Sequence, residues 1–260
     1  MRLHAVTRSA FVHGLIGLVG LGLADQLVSW TGLVAPRYLP PATTIADRLW
    51  GLLGSGDFLA DLVHTLASAA LGLVLAVPVA VVAGVLLGLF SPALQATRVV
   101  IDLLRPVPAV AIVPLLELTV GMGTRTVVFA VAIAIVWPIL LNTIHGVQDV
   151  DGLAIQTARV FGLRWLRRVA TVVIPSAAPA IGAGVRIAMS LALVVTVATE
   201  LIIGTDRGIG SYILHASTGG YHADLVFAAV VVAGLLGLVV NTAASAAERR
   251  LFPWHGRRPA

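Results

Sequence analysis

From Leu62 to Phe90 the chain reads LVHTLASAALGLVLAVPVAVVAGVLLGLF, with His64 its one ionisable side chain. A run this long and apolar constrains the fold more than anything else in the sequence. Hydrocarbon offers no water to the backbone, so each peptide group must be satisfied inside the segment, which selects a helix. A bilayer core about 30 Å thick takes roughly twenty residues at a rise of about 1.5 Å each. Six stretches qualify: 11–30, 62–90, 99–120, 126–145, 177–203 and 224–247. The reading is an all-α membrane protein, a single transmembrane domain over residues 1–260 with six transmembrane helices. Only 11% of residues are charged, where a soluble domain carries roughly a quarter.

The basic residues set the orientation. All seventeen are arginine. With the N-terminus in the cytoplasm, the cytoplasmic side holds twelve of them and the outer side four, with Arg186 inside the fifth span. Cytoplasmic loops collect positive charge, so both termini are expected there. Arginines precede the first apolar run as they do in a signal peptide, but no small-x-small site precedes Asp25; the run is read as a retained span. Pro106, Pro108 and Pro114 make the first half of the third span irregular, and irregular backbone at membrane depth is expected inside the bundle. Gly84 and Gly88 form a small-xxx-small pair suited to close helix approach, although glycine is also simply common in membrane helices.

Absent residue types exclude several functions. With no lysine the chain has no P-loop. With no cysteine it has no disulfide or thiolate site, and its seven histidines are scattered, so no metal site is expected. The pI of 10.9 reflects topology, not nucleic acid binding.

The segment 146–176, cytoplasmic by orientation, interrupts this apolar chain with QTARVFGLRWLRRVATVVIP. Asp151 can cap a short helix. Gly162 can end it in the left-handed conformation. LRWLRRVATVVI then forms a second amphipathic helix before Pro175 and Pro179 redirect the chain. Charge alone allows a plain topology anchor; the helix, turn and helix make a rigid knob suited to a cleft on a partner protein.

The spacing from Gln156-Thr157-Ala158 through Gly162 to Pro175 resembles the EAA loop of permease subunits in binding-protein-dependent ABC importers. There a glycine follows the second alanine by four residues and a proline follows the glycine by thirteen, as Ala158, Gly162 and Pro175 do here. Gln156 and Thr157 depart from the usual Glu-Ala. YLPPATTIADRL, LRPVPAVAIVPLLELTVGMGTRT, WPILLNTIHGVQDVD and the fifth-span segment ending in ATELI, followed by RGIGSYI as an outer glycine loop, resemble the branch serving nitrate, sulfonate, taurine and bicarbonate. The resemblance implies the type I importer fold in a bacterial inner membrane. It also implies a second permease copy, an ABC ATPase docked at the loop through Gln156, Thr157, Ala158, Arg159, Gly162, Arg164 and Pro175, and an extracytoplasmic binding protein. No cofactor belongs to this chain; ATP and Mg²⁺ lie on the ATPase.

Polar residues inside the spans are the candidates for pathway or gate: His64, Thr65, Asn142, Thr143, Thr196, Thr199 and Glu200. Glu200 suits an anion pathway poorly and fits better as a hydrogen-bonding support for the GTDRGIG loop. Two rival readings remain. An ion-coupled secondary transporter needs ionisable groups within the spans, and Asp25, Glu117, Arg186 and Glu200 are few and lie mostly near span ends. An intramembrane serine protease would need a serine in a glycine-rich setting with a histidine on a facing helix; Ser190 sits in AMSLA without that context, and no other span offers the pair. The chain reconstituted alone in liposomes should therefore show no uptake under proton or sodium gradients; robust gradient-driven uptake would restore the ion-coupled reading.

Overall fold

The computed structural model describes residues 2–32, 34–220 and 222–253, with side chains from residue 13 onward except 15, 18, 33 and 221. All regular secondary structure among the described residues is helical. α1 (Arg2–Thr31) leads to a short α2 (Ala42–Gly54), and Ser55 then serves as hinge and cap. It ends α2 and starts α3 (Gly56–Leu89), where its hydroxyl accepts from the Phe58 amide at 3.4 Å. Asp57 in the first turn of α3 complements the helix dipole. α4 (Ser91–Leu104), α5 (Val113–Val120) and α6 (Thr124–Gln148) follow, with left-handed glycines at Gly121 and Gly123 separating the last two.

Four described helices are long and apolar enough to cross a membrane, and a fifth is added if α4 and the segment Ala109–Val120 count as one bent span. The first expected span, 11–30, lies on α1, and part of its side chains fall outside the described residues. The chain is a multi-pass membrane protein.

Several expectations need correcting. The third span is broken within its first half, as expected, but not from its start: residues 99–104 belong to regular helix, and the chain breaks after Leu104, turning by 82° before the 3₁₀ turn Ala109–Ile112. Proline removes an amide donor and clashes with the preceding turn, so Pro106 and Pro108 place the break. Residues 105–108 also lie on the surface of the single chain, not inside its bundle. Likewise Pro175 does not redirect the chain. Trp165–Ile203 is one helix of 39 residues, in which α8 (Trp165–Arg168) runs through a π turn (Val169–Val173) into α9 (Ile174–Ile203). The π turn re-registers the ladder, with the Ile174 amide bonding to the Val169 carbonyl. The lost donor of Pro175 therefore falls at a junction, where it does least harm. Finally, RGIGSYI is not a loop over its length: α10 (Ile209–Thr218) begins within it, ahead of α11 (Ala223–Leu251).

The bundle is built around α6, which α3 and α9 flank. Val127, Val131, Ile135 and Ile139 on α6 are wholly buried and join Ala69, Ala76 and Ala80 of α3 and Ala188 and Ala192 of α9 in one core. Lipid tails are as apolar as leucine, so packing density rather than water exclusion holds such helices together, and small residues permit it. A Cβ on Gly84 would sit 2.6 Å from the Thr143 Cβ, and one on Gly88 would sit 2.8 Å from the Val147 Cβ. The small-xxx-small pair is thus a contact stripe. Gly146 and Gly184 do the same between α6 and α9, against Ala180 and Asn142. Gly84→Leu should consequently lower the thermal stability of the purified chain by about 1–3 kcal/mol, the usual cost of overpacking. Gly237→Leu, where nothing lies within 4 Å of the added Cβ, should leave the melting temperature unchanged in the same detergent.

Candidate functional site

Two places on the bundle carry more polar organisation than packing requires, and they lie at opposite ends of the Trp165–Ile203 helix. At its start is the α7 knob. Asp151 caps α7 (Gly152–Val160), its Oδ1 accepting from the Leu153 amide at 2.8 Å. At the other end of α7 the Leu163 amide bonds the Ala158 carbonyl at 3.1 Å and the Gly162 amide bonds the Arg159 carbonyl at 3.0 Å, with Gly162 at φ 73°. This pair of bonds is the Schellman closure that wants a glycine at that position. Both the cap and the stop are where the sequence places them.

Ala158 is buried where α7 rests on the π turn, and its small side chain sets that spacing. Gln156, Thr157, Arg159 and Arg164 are exposed, as is Pro175 further along the rod. Trp165 anchors the knob from below by packing on Phe90, the residue that ends α3, with ring centroids 6.1 Å apart. The sequence reading missed the apolar part of this surface: Leu153, Val160 and Phe161 are all more than two-thirds exposed. The available signal was the pair Val160-Phe161 at the very end of a helix whose burial is supplied by Ala158.

At the far end of the rod Glu200 is fully buried. Its carboxylate accepts from the Thr65 hydroxyl, at 3.0 Å to Oε1 and 2.9 Å to Oε2, and from the Gly210 amide at 3.0 Å. Thr65 in turn accepts from the Ile209 amide at 2.9 Å, and Asp61 accepts from the Gly208 amide at 3.1 Å. Three successive amides at the start of α10 are thereby satisfied by side chains of α3 and α9. His64 joins from the side, with Nδ1 3.7 Å from Glu200 Oε1 and Nε2 3.0 Å from the Thr124 hydroxyl. The hydrogen bond from the glycine loop to Glu200 anticipated in the sequence is present. Asp61 was not singled out, and its only signal was a position one turn before Thr65.

The remaining candidates are not gathered into that cluster. Thr143 and Thr196 are buried and donate to carbonyls four residues back, Ile139 at 2.7 Å and Ala192 at 2.8 Å. Asn142 donates to the Pro138 carbonyl at 2.8 Å, and Thr199 is buried beside Glu200 in the sequence. Within one chain these side chains serve helix bonding and packing. Ser190 lies 3.5 Å from Asn241 and has no histidine as a partner among the described residues.

Comparison with known proteins decides the family. Residues 76–254 match the family of binding-protein-dependent transport system inner membrane components. The chain belongs to that family. It is 31% identical over 230 residues to the taurine transport system permease protein TauC of Escherichia coli K12, covering 86% of this chain and 82% of that one. It is 30% identical over 225 residues to the nitrate import permease protein NrtB of Leptolyngbya laminosa, covering 86% and 76%. The fold is similar to a chain of the bacterial alginate ABC transporter in complex with alginate pentasaccharide-bound periplasmic protein, with a TM-score of 0.66 at 16% identity over 96% of this chain and 94% of that one. The protein is an ABC-type permease subunit.

The cap on the permease's knob gives a direct test. Asp151→Ala removes the acceptor for the Leu153 amide, a loss of about 1 kcal/mol that corresponds to roughly fivefold faster opening. Hydrogen exchange should quicken by that factor across α7 and stay unchanged in α6; unchanged exchange in α7 would mean the cap contributes nothing.

Proposed function

We propose that this permease is the membrane subunit of an ATP-driven importer for small anions such as taurine, other sulfonates, nitrate or bicarbonate. The observation that carries the reading is the knob: a capped, glycine-terminated helix whose exposed face joins Leu153, Val160 and Phe161 to Arg159. Exposed apolar side chains rimmed by a cation form a surface for a protein partner, and the family supplies one in the ABC ATPase. Two permease copies pair to enclose the pathway. A binding protein delivers the anion at the α10 end, and an ATPase seats each knob. ATP and Mg²⁺ belong to that ATPase, since this chain has no lysine for a P-loop. All six spans lie in the bacterial inner membrane with both termini in the cytoplasm.

In this scheme ATP closes the ATPase pair and draws the two knobs together. The knobs are continuous with the long helices, so their approach tilts those helices and exchanges an inward-open for an outward-open arrangement. This is a shear transition biased by a ligand that binds one state better than the other. The chemistry of the transported anion is set by the binding protein and by polar groups that the paired chains bring together, among which His64, Asn142 and Thr199 remain candidates.

Gly162 offers the cleanest test, because no atom lies within 4 Å of an added Cβ there and only its φ of +73° penalises a side chain. Gly162→Val should cost about 1–2 kcal/mol in the knob and abolish copurification of the ATPase while membrane yield holds. Gly162→Asn should retain the complex, since asparagine tolerates the left-handed conformation. A valine variant with full complex formation and uptake would sink the docking assignment.

A further inference from the structure

Resting on the transporter reading above, we propose that Glu200 is a positioning residue for transport. It ties α10 to the far end of the Trp165–Ile203 helix, so that a displacement applied at the knob arrives at α10 as a rigid-body movement. The geometry makes both halves of this case.

The first half is the rod. Thirty-nine helical residues span about 58 Å at the standard rise, enough to reach from the knob through a bilayer to its other side. The π turn at Val169–Val173 sits close to the knob; beyond it the helix is regular through Pro179 to Ile203. A long helix packed on α6 along its length transmits displacement to its end with little internal give.

The second half is the fastening. The first turn of a helix leaves amides without partners. In α10 those of Gly208, Ile209 and Gly210 are taken by Asp61, Thr65 and Glu200. Thr65 spans two of these links, donating to Glu200 and accepting from Ile209, so α3, α9 and α10 meet at one hydroxyl. Further contacts join the same elements. The Ser211 hydroxyl donates to the Glu200 carbonyl at 3.4 Å, and Ser211 shares a 2.6 Å hydrogen bond with Thr205. The approach is as close as backbone permits, since a Cβ on Gly208 would fall on the Glu200 carboxyl group and one on Gly210 on the Val197 carbonyl. Packing alone would not need this. A side chain sealed from solvent there contributes by presenting oxygen acceptors to the positive end of α10, and an apolar residue of similar shape would pack as well without that hold.

α10 has something to position. It borders a cavity of about 190 Å³ lined by Asp61, Arg207, Ser211, Tyr212 and His215, on the end of the bundle away from the knob. If α10 moves with the rod, this rim moves with it. If α10 is loosened, the knob can cycle while the rim does not follow.

The test uses the permease assembled with its ATPase and binding protein in liposomes. The chain has no cysteine, so a spin label at exposed Ser217 of α10, introduced as Ser217→Cys and attached to the purified permease before assembly, reports that helix alone. With Glu200 intact the label should give a restricted spectrum. Glu200→Ala removes a charge-assisted hydrogen bond and should raise the mobile fraction about tenfold. It should lower anion uptake per ATP hydrolysed by a similar factor while the ATPase still copurifies. Glu200→Gln keeps an acceptor for the Gly210 amide and should restore both readouts. An alanine variant with a restricted label and normal uptake per ATP would overturn the assignment. So would a glutamine variant as loose and uncoupled as alanine. If Glu200→Ala fails to accumulate, Thr65→Val decides: the label should loosen there too, and an unchanged spectrum overturns the staple. If the unmodified complex shows no uptake dependent on the binding protein, the transporter reading itself has failed, and the label spectra still judge the fastening of α10.

Discussion

The approach of α3 and α9 onto α6 through glycine is the contact on which the rest of the structure depends. In lipid a leucine side chain gains nothing by touching another leucine instead of an acyl chain, so helices must win by dispersion at short range. Gly84 and Gly88 bring α3 against Thr143 and Val147, and Gly146 and Gly184 bring α6 and α9 together. Once those three axes are fixed, the ends of the helices are fixed as well. Phe90 at the end of α3 then lies where it meets Trp165 at the start of the rod. Thr65 on α3 lies where it meets Glu200 on α9. The two polar ends are consequences of one packing arrangement in the middle.

That dependence explains what could be read from the sequence and what could not. Asp151 and Gly162 were legible because a cap and a left-handed stop are chemistry of a few consecutive residues. The apolar runs were legible because membrane thickness converts directly into residue count. Pro175 was misleading because proline's effect depends on the helix ahead of it, and a π turn absorbs the missing donor. α10 was read as loop because its start is stabilised from a distance: Ile209 finds Thr65 144 positions away in the sequence. No local rule could see that partner.

The proline break at residues 105–108 was misjudged for a different reason. Irregular backbone at membrane depth needs cover, and the inference that the bundle provides it assumed that one chain is the complete bundle. In the single chain Pro106, Val107 and Pro108 are exposed, and so are Val99, Leu103 and Leu118 on the flanking helices. A pairing of two copies would resolve the conflict by supplying the missing surface, in keeping with the importer reading.

The charged groups in the long helices point the same way. A carboxylate or guanidinium that couples an ion must change partners during the cycle. Here Arg186 lies 3.1 Å from Glu248, joining α9 to α11, and Glu200 is held by Thr65 and the Gly210 amide. Both ionisable groups of the fifth span are thus engaged in fastening one helix to another. Groups used as fasteners cannot also serve as the exchanging site of an ion-driven carrier without releasing what they hold. In the proposed scheme such a bundle is moved from outside, and among the described residues the knob offers an exposed surface for it. On the proposed importer reading the energy source belongs to a partner, and work done on the knob is felt wherever the rivets carry it.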